Sequence, residues 1–176
     1  TEGYDELALC MGAEAVRPDI PGVDHPAVLV LRRIGDMDRI MERLDGALAA
    51  QRDGTREAVR AVVVGAGYIG LEMAENLKHR GVDVSVVELS DQILPPVDHE
   101  IASPIEQHLR AHRVDVHLRT AAAALRPMRR DPDRVTVELT SGANLVADLV
   151  ILAAGVRPAV GLAREAGLTL GPRGGI

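Results

Sequence analysis

The sequence predicts an α/β fold, a central parallel sheet flanked by helices with an antiparallel β-meander attached, and three observations carry that expectation. The stretch "RAVVVGAGYIGLEMAENLKHRGVDVSVVEL" (60–89) runs from an apolar strand through a glycine turn into a helical pattern and back to a strand, which is a βαβ unit. A second helical pattern and a second apolar strand follow it between residues 99 and 118. Phe and Trp are absent and only Tyr4 and Tyr68 are aromatic, although 47% of the 176 residues are hydrophobic. The core is therefore built from Val, Leu, Ile, Ala and Met, which suit parallel strands buried on both faces.

Taken in order, residues 6–9 read as a short strand, and "MGAEAVRPDIPGVDHP" reads as an irregular crossing segment punctuated by Pro18, Pro21, Gly22 and Pro26. Residues 28–31 form a second short strand. Asp36 is the expected N-cap of a helix whose inner face is Met37, Ile40, Met41, Leu44 and Leu48, ended by "QRDGTRE". Strand 61–64, turn 65–70, helix 71–80 and strand 83–89 make up the βαβ unit. A helix over 99–112 follows, with Ile101, Ile105 and Leu109 on one face, and then strand 114–118. Arg113 stands where glycine would relieve a left-handed helix end, so that end should be slightly strained or differently shaped. Three short strands, 121–125, 134–139 and 144–147, form the meander, with "RRDPD" and "TSGA" as turns. Strand 149–153 is fully apolar, and 160–166 begins a last helix. The segments "LCMGAEAVRP" and "LAAGVRP" echo each other, each an apolar run reaching a glycine and then Arg-Pro.

Charge and composition exclude several functions. A net charge of -6 and the lack of stacking aromatics argue against nucleic-acid binding, because Asp131 and Asp133 interleave the patch of Arg126, Arg129, Arg130 and Arg134. No apolar run approaches the roughly 20 residues of a membrane span, and a cytoplasmic protein is expected. The single cysteine, Cys10, permits no internal disulfide and reads as a buried small residue. His108 and His112 are spaced i, i+4 without the glutamate of HExxH or a third ligand, so no metal site is expected. No GxSxG elbow is present.

The chemistry of the chain lies in "GAGYIG". Gly65 permits a tight turn after the strand, Gly67 lets backbone approach a pyrophosphate without a Cβ in the way, and Gly70 lets helix and strand pack closely. The backbone from Gly65 through Ala66, Gly67, Tyr68 and Ile69 to Gly70 then offers the positive end of a helix to phosphate oxygens. Glu88, at the end of the next strand, is placed to accept hydrogen bonds from the adenine ribose hydroxyls and would repel a 2′-phosphate. No Arg or Lys occurs from Leu89 through Glu100, so NAD(H) is expected over NADP(H).

Four segments together resemble the FAD-dependent pyridine nucleotide-disulfide oxidoreductases, in the branch with coenzyme A disulfide reductase, NADH oxidase and NADH peroxidase. They are "YDELALCMGAEAVRPDIPG", "VVVGAGYIGLEMAENL", "VVELSDQILPPVDHEIA" and "LVILAAGVRPAVGLAREAGL", and they span nearly the whole chain. Cys10 and Met11 depart from that family's usual small and hydroxyl residues, and Ala159 stands for its customary asparagine. The resemblance implies that residues 1–31 are a remnant of a flavin domain and linker, 32–155 the NAD(H)-binding domain and 156–176 the start of a return to the flavin domain. It implies further that Tyr68 covers the flavin until nicotinamide arrives, that Glu72 lies near the nicotinamide and that Gly155 lines its site through backbone. The chain resembles an excised domain of a homodimeric parent. It is expected to bind NADH but not FAD, to partner the flavin domain of the same parent, and to hold no catalytic residue of its own. An NAD domain of a ferredoxin, rubredoxin or nitrite reductase, or a non-catalytic nucleotide-binding module, is the alternative.

Overall fold

The computed structural model describes residues 3–172 and 174–176, so Thr1, Glu2 and Arg173 of the two outer segments lie outside the described residues. The main body has three layers. Its centre is a five-stranded parallel sheet of β2 (Val28–Val30), β3 (Arg60–Val64), β4 (Asp83–Val87), β5 (Asp115–His117) and β9 (Leu149–Leu152), in the order β2-β9-β3-β4-β5. Residues alternate between the faces of these apolar strands. Ala61, Val63, Val84, Val86, Leu149 and Ile151 pack with α1 (Ile34–Arg52), α2 (Tyr68–His79) and α3 (His99–Ala111). Val62, Val64, Val87, Val150 and Leu152 pack under the antiparallel meander of β6 (Ala122–Met128), β7 (Asp131–Leu139) and β8 (Asn144–Ala147). A strand covered on both sides has no polar face to show, which is why "AVVV" and "LVIL" carry no alternation. Helix α4 (Gly161–Glu165) follows β9 and a short strand described below.

Strand β2 falls in the segment assigned by sequence to residues 1–31, yet it is hydrogen-bonded to β9 as the edge of the central sheet. The expected strand over 6–9 is absent: these residues find no strand partner among the described residues, and Cys10 beside them is exposed rather than buried. The strand lies further on, at β1 (Ala13–Ala15), because there it has a partner in β10 (Val156–Pro158). The two echoing segments of the sequence therefore pair with each other, antiparallel, with Ala13 opposite Pro158 and Ala15 opposite Val156. Val16 N–H to the Gly155 carbonyl and Ala159 N–H to the Gly12 carbonyl, both 2.9 Å, extend the ribbon at its ends.

Helix α1 starts earlier than its sequence signal. Arg33 is the N-cap, and Asp36 sits inside the first turn, its carboxylate accepting the N–H groups of Arg32 at 2.9 Å and Arg33 at 2.8 Å and pairing with Arg39. Asp36 thus does a cap's work from within the helix. Burial acts to raise its pKa, but the two backbone amides and the Arg39 guanidinium together outweigh burial and hold it below its ordinary 3.8. A group depressed in the folded state stabilises above its unfolded pKa and loses that contribution as pH falls through the folded one. Asp36→Asn is accordingly expected to flatten the acid limb of a stability-against-pH profile below about pH 4, and an unchanged limb in chemical denaturation would remove this role.

The β6–β7 hairpin turns on Arg129 and Arg130 alone, tighter than the "RRDPD" loop expected, since β7 begins at Asp131. Arg113, after α3, has φ 59°, the left-handed end anticipated from the sequence. At the amino-terminal edge of the sheet the fully buried Asp148 is a hub. Its Oδ1 is paired by Arg56 and, at 3.1 Å, by Arg134, while Oδ2 accepts Arg60 N–H at 2.7 Å and its carbonyl accepts Arg43 Nε at 2.6 Å. Helix α1, β3, β7 and the β8–β9 corner are fastened together there.

Candidate functional site

The opposite, carboxyl-terminal edge of the sheet gathers the residues singled out in the sequence. The turn at Gly65–Gly70 follows β3, Glu88 follows β4, and Gly155 follows β9. Strands β3 and β9 are neighbours, but β3 leads to α2 on the helical face whereas β9 arrives from the meander on the other. The carboxyl-terminal edge of a parallel sheet is where α/β folds take ligands.

The three glycines separate by physical cause. Gly65 has φ 106°, and a Cβ there would lie 2.4 Å from the Ala153 carbonyl oxygen of the neighbouring strand end. A Cβ on Gly70 would lie 1.9 Å from the Gly65 carbonyl oxygen, so close packing of helix on turn demands glycine. Gly67 differs. Its φ of -77° and ψ of -175° suit any residue, and a Cβ there would meet nothing within 4 Å. Nothing inside the protein requires glycine at that position, and the bare backbone borders open space.

Gly67 is also the N-cap of α2, whose first helical bond is Leu71 N–H to the Gly67 carbonyl at 3.0 Å. The N–H groups of Tyr68, Ile69 and Gly70 precede that bond and have no acceptor within the helix. Because no acidic side chain occupies the first turn, their partial positive charge is uncompensated from within. The donor set matches the oxygens of a diphosphate, and the open face at Gly67 leaves room for one.

Glu88 is nearly buried and does more than its position alone suggests. Oε2 accepts Ala66 N–H and Oε1 accepts Ser90 N–H, both at 2.8 Å, so the carboxylate ties the glycine turn to the end of β4. Each oxygen retains acceptor capacity for a hydroxyl. Sequence reasoning missed the other half of this clamp: Leu94 N–H donates to the Ala66 carbonyl at 2.8 Å, from a backbone at φ 47°, with Ile93 fully buried beside it. The Ala66 peptide is thereby held from both sides. It missed Arg119 as well, whose backbone the end of β5 bonds to Ser90 although the chain between 89 and 100 has no Arg or Lys.

Tyr68 is 64% exposed and Ile69 is 48% exposed at the mouth of the turn, and Glu72 is exposed one turn along α2. Ile69 shares a surface depression with Leu31, Ile34, Met37 and Val156, rimmed by Arg32 and Arg33. In that depression Ile34 is 84% exposed. Gly155, with φ 100° and open space where a Cβ would stand, precedes this apolar patch. His108 and His112 lie on α3 with ring centroids 4.2 Å apart, and His112 Nδ1–H donates to the His108 carbonyl at 2.8 Å. Among the described residues no group of three or more metal-ligating side chains comes together, and no helix is long and apolar enough to cross a membrane.

Comparison with known proteins gives concordant results. The family model described as pyridine nucleotide-disulphide oxidoreductase matches residues 1–176. An NADH oxidase of Methanocaldococcus jannaschii is 36% identical over 171 residues, covering 96% of this chain and 35% of that protein. The water-forming NADH oxidase of Lactobacillus brevis, solved bound to NADH, superposes with a TM-score of 0.84 at 28% identity, over 98% of this chain and 35% of that one. The NAD-dependent persulfide reductase of A. fulgidus superposes with a TM-score of 0.82 at 33% identity, over 94% of this chain and 28% of that one. The chain thus spans about a third of the length of these relatives.

Proposed function

The chain belongs to the pyridine nucleotide-disulphide oxidoreductase family, and on that premise we propose that it is the NAD(H)-binding domain of an FAD-dependent oxidoreductase. The observation that carries this reading is the contrast among the glycines: Gly65 and Gly70 are explained by the fold, whereas Gly67 is explained only by something outside it. The amides of Tyr68, Ile69 and Gly70 bind the pyrophosphate, and the outer lone pairs of Glu88 accept the adenine ribose hydroxyls. From that anchor the nicotinamide end extends past Ile69 and Glu72 toward the backbone of Gly155.

When bound, the dinucleotide supplies the hydride and a flavin in the parent protein supplies its acceptor, electrons passing on to a disulfide, a thiol or oxygen. What this chain contributes is position. Tyr68, exposed at the mouth of the turn, covers the flavin until nicotinamide takes its place. The patch of Ile34, Met37, Ile69 and Val156 is the face toward the flavin domain, since an apolar cluster of that kind marks a contact surface. The nucleotide domain takes in β2 together with residues 32–155, and the segments on either side of it, up to residue 27 and from 156 on, join it to the flavin domain. The similarity to two NADH oxidases and a persulfide reductase supports an oxygen or sulfur acceptor.

Calorimetric titration of the chain tests the reading. NADH is expected to bind, more tightly than NADPH, and the protein to be colourless as purified. Absence of NADH binding would overturn the proposal, and a reversed preference would remove the part given to Glu88.

A further inference from the structure

The carboxyl-terminal edge holds one cation that this reading leaves unused. Arg119 follows β5 with φ 55°, a left-handed conformation unusual for a residue with a side chain. Its N–H donates to the Ser90 carbonyl at 2.9 Å, Thr120 N–H donates to the Glu88 carbonyl at 3.1 Å, and Glu88 N–H donates to the His117 carbonyl at 2.8 Å. Three backbone bonds therefore fold the end of β5 onto the corner at 88–90, and the left-handed residue makes that fold possible. Arg119 is exposed, and it enters none of the ion pairs among the described residues. The Glu88 carboxylate, two residues before Ser90, is nearly buried, with one backbone amide on each oxygen. Its charge is partly compensated by those amides, while the guanidinium is left without an ion-pair partner among the described residues.

Resting on the dinucleotide reading above, we propose that Arg119 is a specificity-determining residue that accepts the adenosine 2′-phosphate of NADPH. A guanidinium presents a planar fork of donors suited to phosphate oxygens, and here the residue that carries it is bonded through its backbone to the corner at Ser90, from a strand that a search downstream of Glu88 does not cover. The chain then takes both nicotinamide dinucleotides. Glu88 favours the free ribose hydroxyls, Arg119 offsets its repulsion of the phosphate, and the balance between the two sets the preference.

Titration of the intact chain with NADH and with NADPH, for the parent sequence and for Arg119→Asn, tests this. Asparagine tolerates the left-handed backbone and keeps the N–H bonded to Ser90. NADPH is expected to bind the parent sequence within about tenfold of NADH. Arg119→Asn should weaken NADPH by about tenfold or more, the scale of one charge-assisted contact, and NADH by less than about twofold. NADPH affinity should also fall more steeply with added salt than NADH affinity in the parent sequence and not in the variant. NADH binding without measurable NADPH binding, or equal weakening of both nucleotides by Arg119→Asn, would overturn the role of Arg119 and leave the nucleotide site standing. Binding of neither nucleotide would overturn the nucleotide site itself and this role with it.

Discussion

Gly67→Val is expected to abolish NADH binding while the chain stays folded. The added side chain starts where no protein atom lies within 4 Å, so nothing in the fold resists it. The φ and ψ of Gly67 suit valine, and the penalty is the poorer N-cap, about 1 kcal/mol, or a melting point lowered by roughly 2–4 °C in a chain of this size. For the ligand the effect is large. Two branched methyl groups would occupy the approach to the amides of Tyr68, Ile69 and Gly70, and losing two charge-assisted hydrogen bonds of about 1.5–3 kcal/mol each weakens binding by roughly two orders of magnitude or more. Gly70→Ala is the contrasting variant. Its Cβ would fall 1.9 Å from the Gly65 carbonyl oxygen, so it should lose stability and binding together. Calorimetry and thermal melting on both variants separate the cases. Full NADH affinity in Gly67→Val would refute the close approach of ligand to backbone.

Asp148→Ala is expected to have the reverse signature, a large loss of stability with the nucleotide site intact. Asp148 lies at the amino-terminal edge of the sheet, at the other end of β3 from the glycine turn. Its removal leaves Arg56 and Arg134, only 17% and 15% exposed, facing one another across the vacated carboxylate, and it strips Arg60 N–H of its acceptor. Breaking such a partnership by taking one member costs about 3 kcal/mol, because the remaining charges stay out of water. The expected drop in melting point is roughly 6–12 °C. NADH affinity measured well below the new melting point should be within about twofold of the parent value. A drop of only a degree or two would show that water reaches the guanidinium groups and that the hub contributes little.

Much of this structure was legible because it is set by local pattern. The βαβ unit, the long helices and the meander declare themselves through apolar period and turn residues, and each of the three glycines has the cause its spacing implied or, at Gly67, no internal cause at all. The errors, apart from the local one at Asp36, share a different cause, dependence on partners distant in sequence. A strand over 6–9 failed for want of a neighbour, while the less apolar Ala13–Ala15 succeeded because Val156–Pro158 lies alongside it. Asp36 has the chemistry of a cap, but from its place within the first turn its carboxylate reaches back to the N–H groups of Arg32 and Arg33. Arg119 and Leu94 touch the candidate site only through backbone bonds to Ser90 and Ala66, and no periodicity signals a bond of that kind.

The ribbon of β1 and β10 brings the strand before the sheet and the strand after it side by side, with Arg157 and Glu14 paired across it at 3.5 Å. A stretch of chain whose two ends are stapled in this way occupies the footprint of a single loop in whatever scaffold receives it. Insertion at an exposed turn would strain the recipient little, since no gap has to be spanned between arrival and departure. As far as chain connection goes, the geometry makes the unit portable, with the apolar face at Ile34 and Val156 left to decide which host suits it.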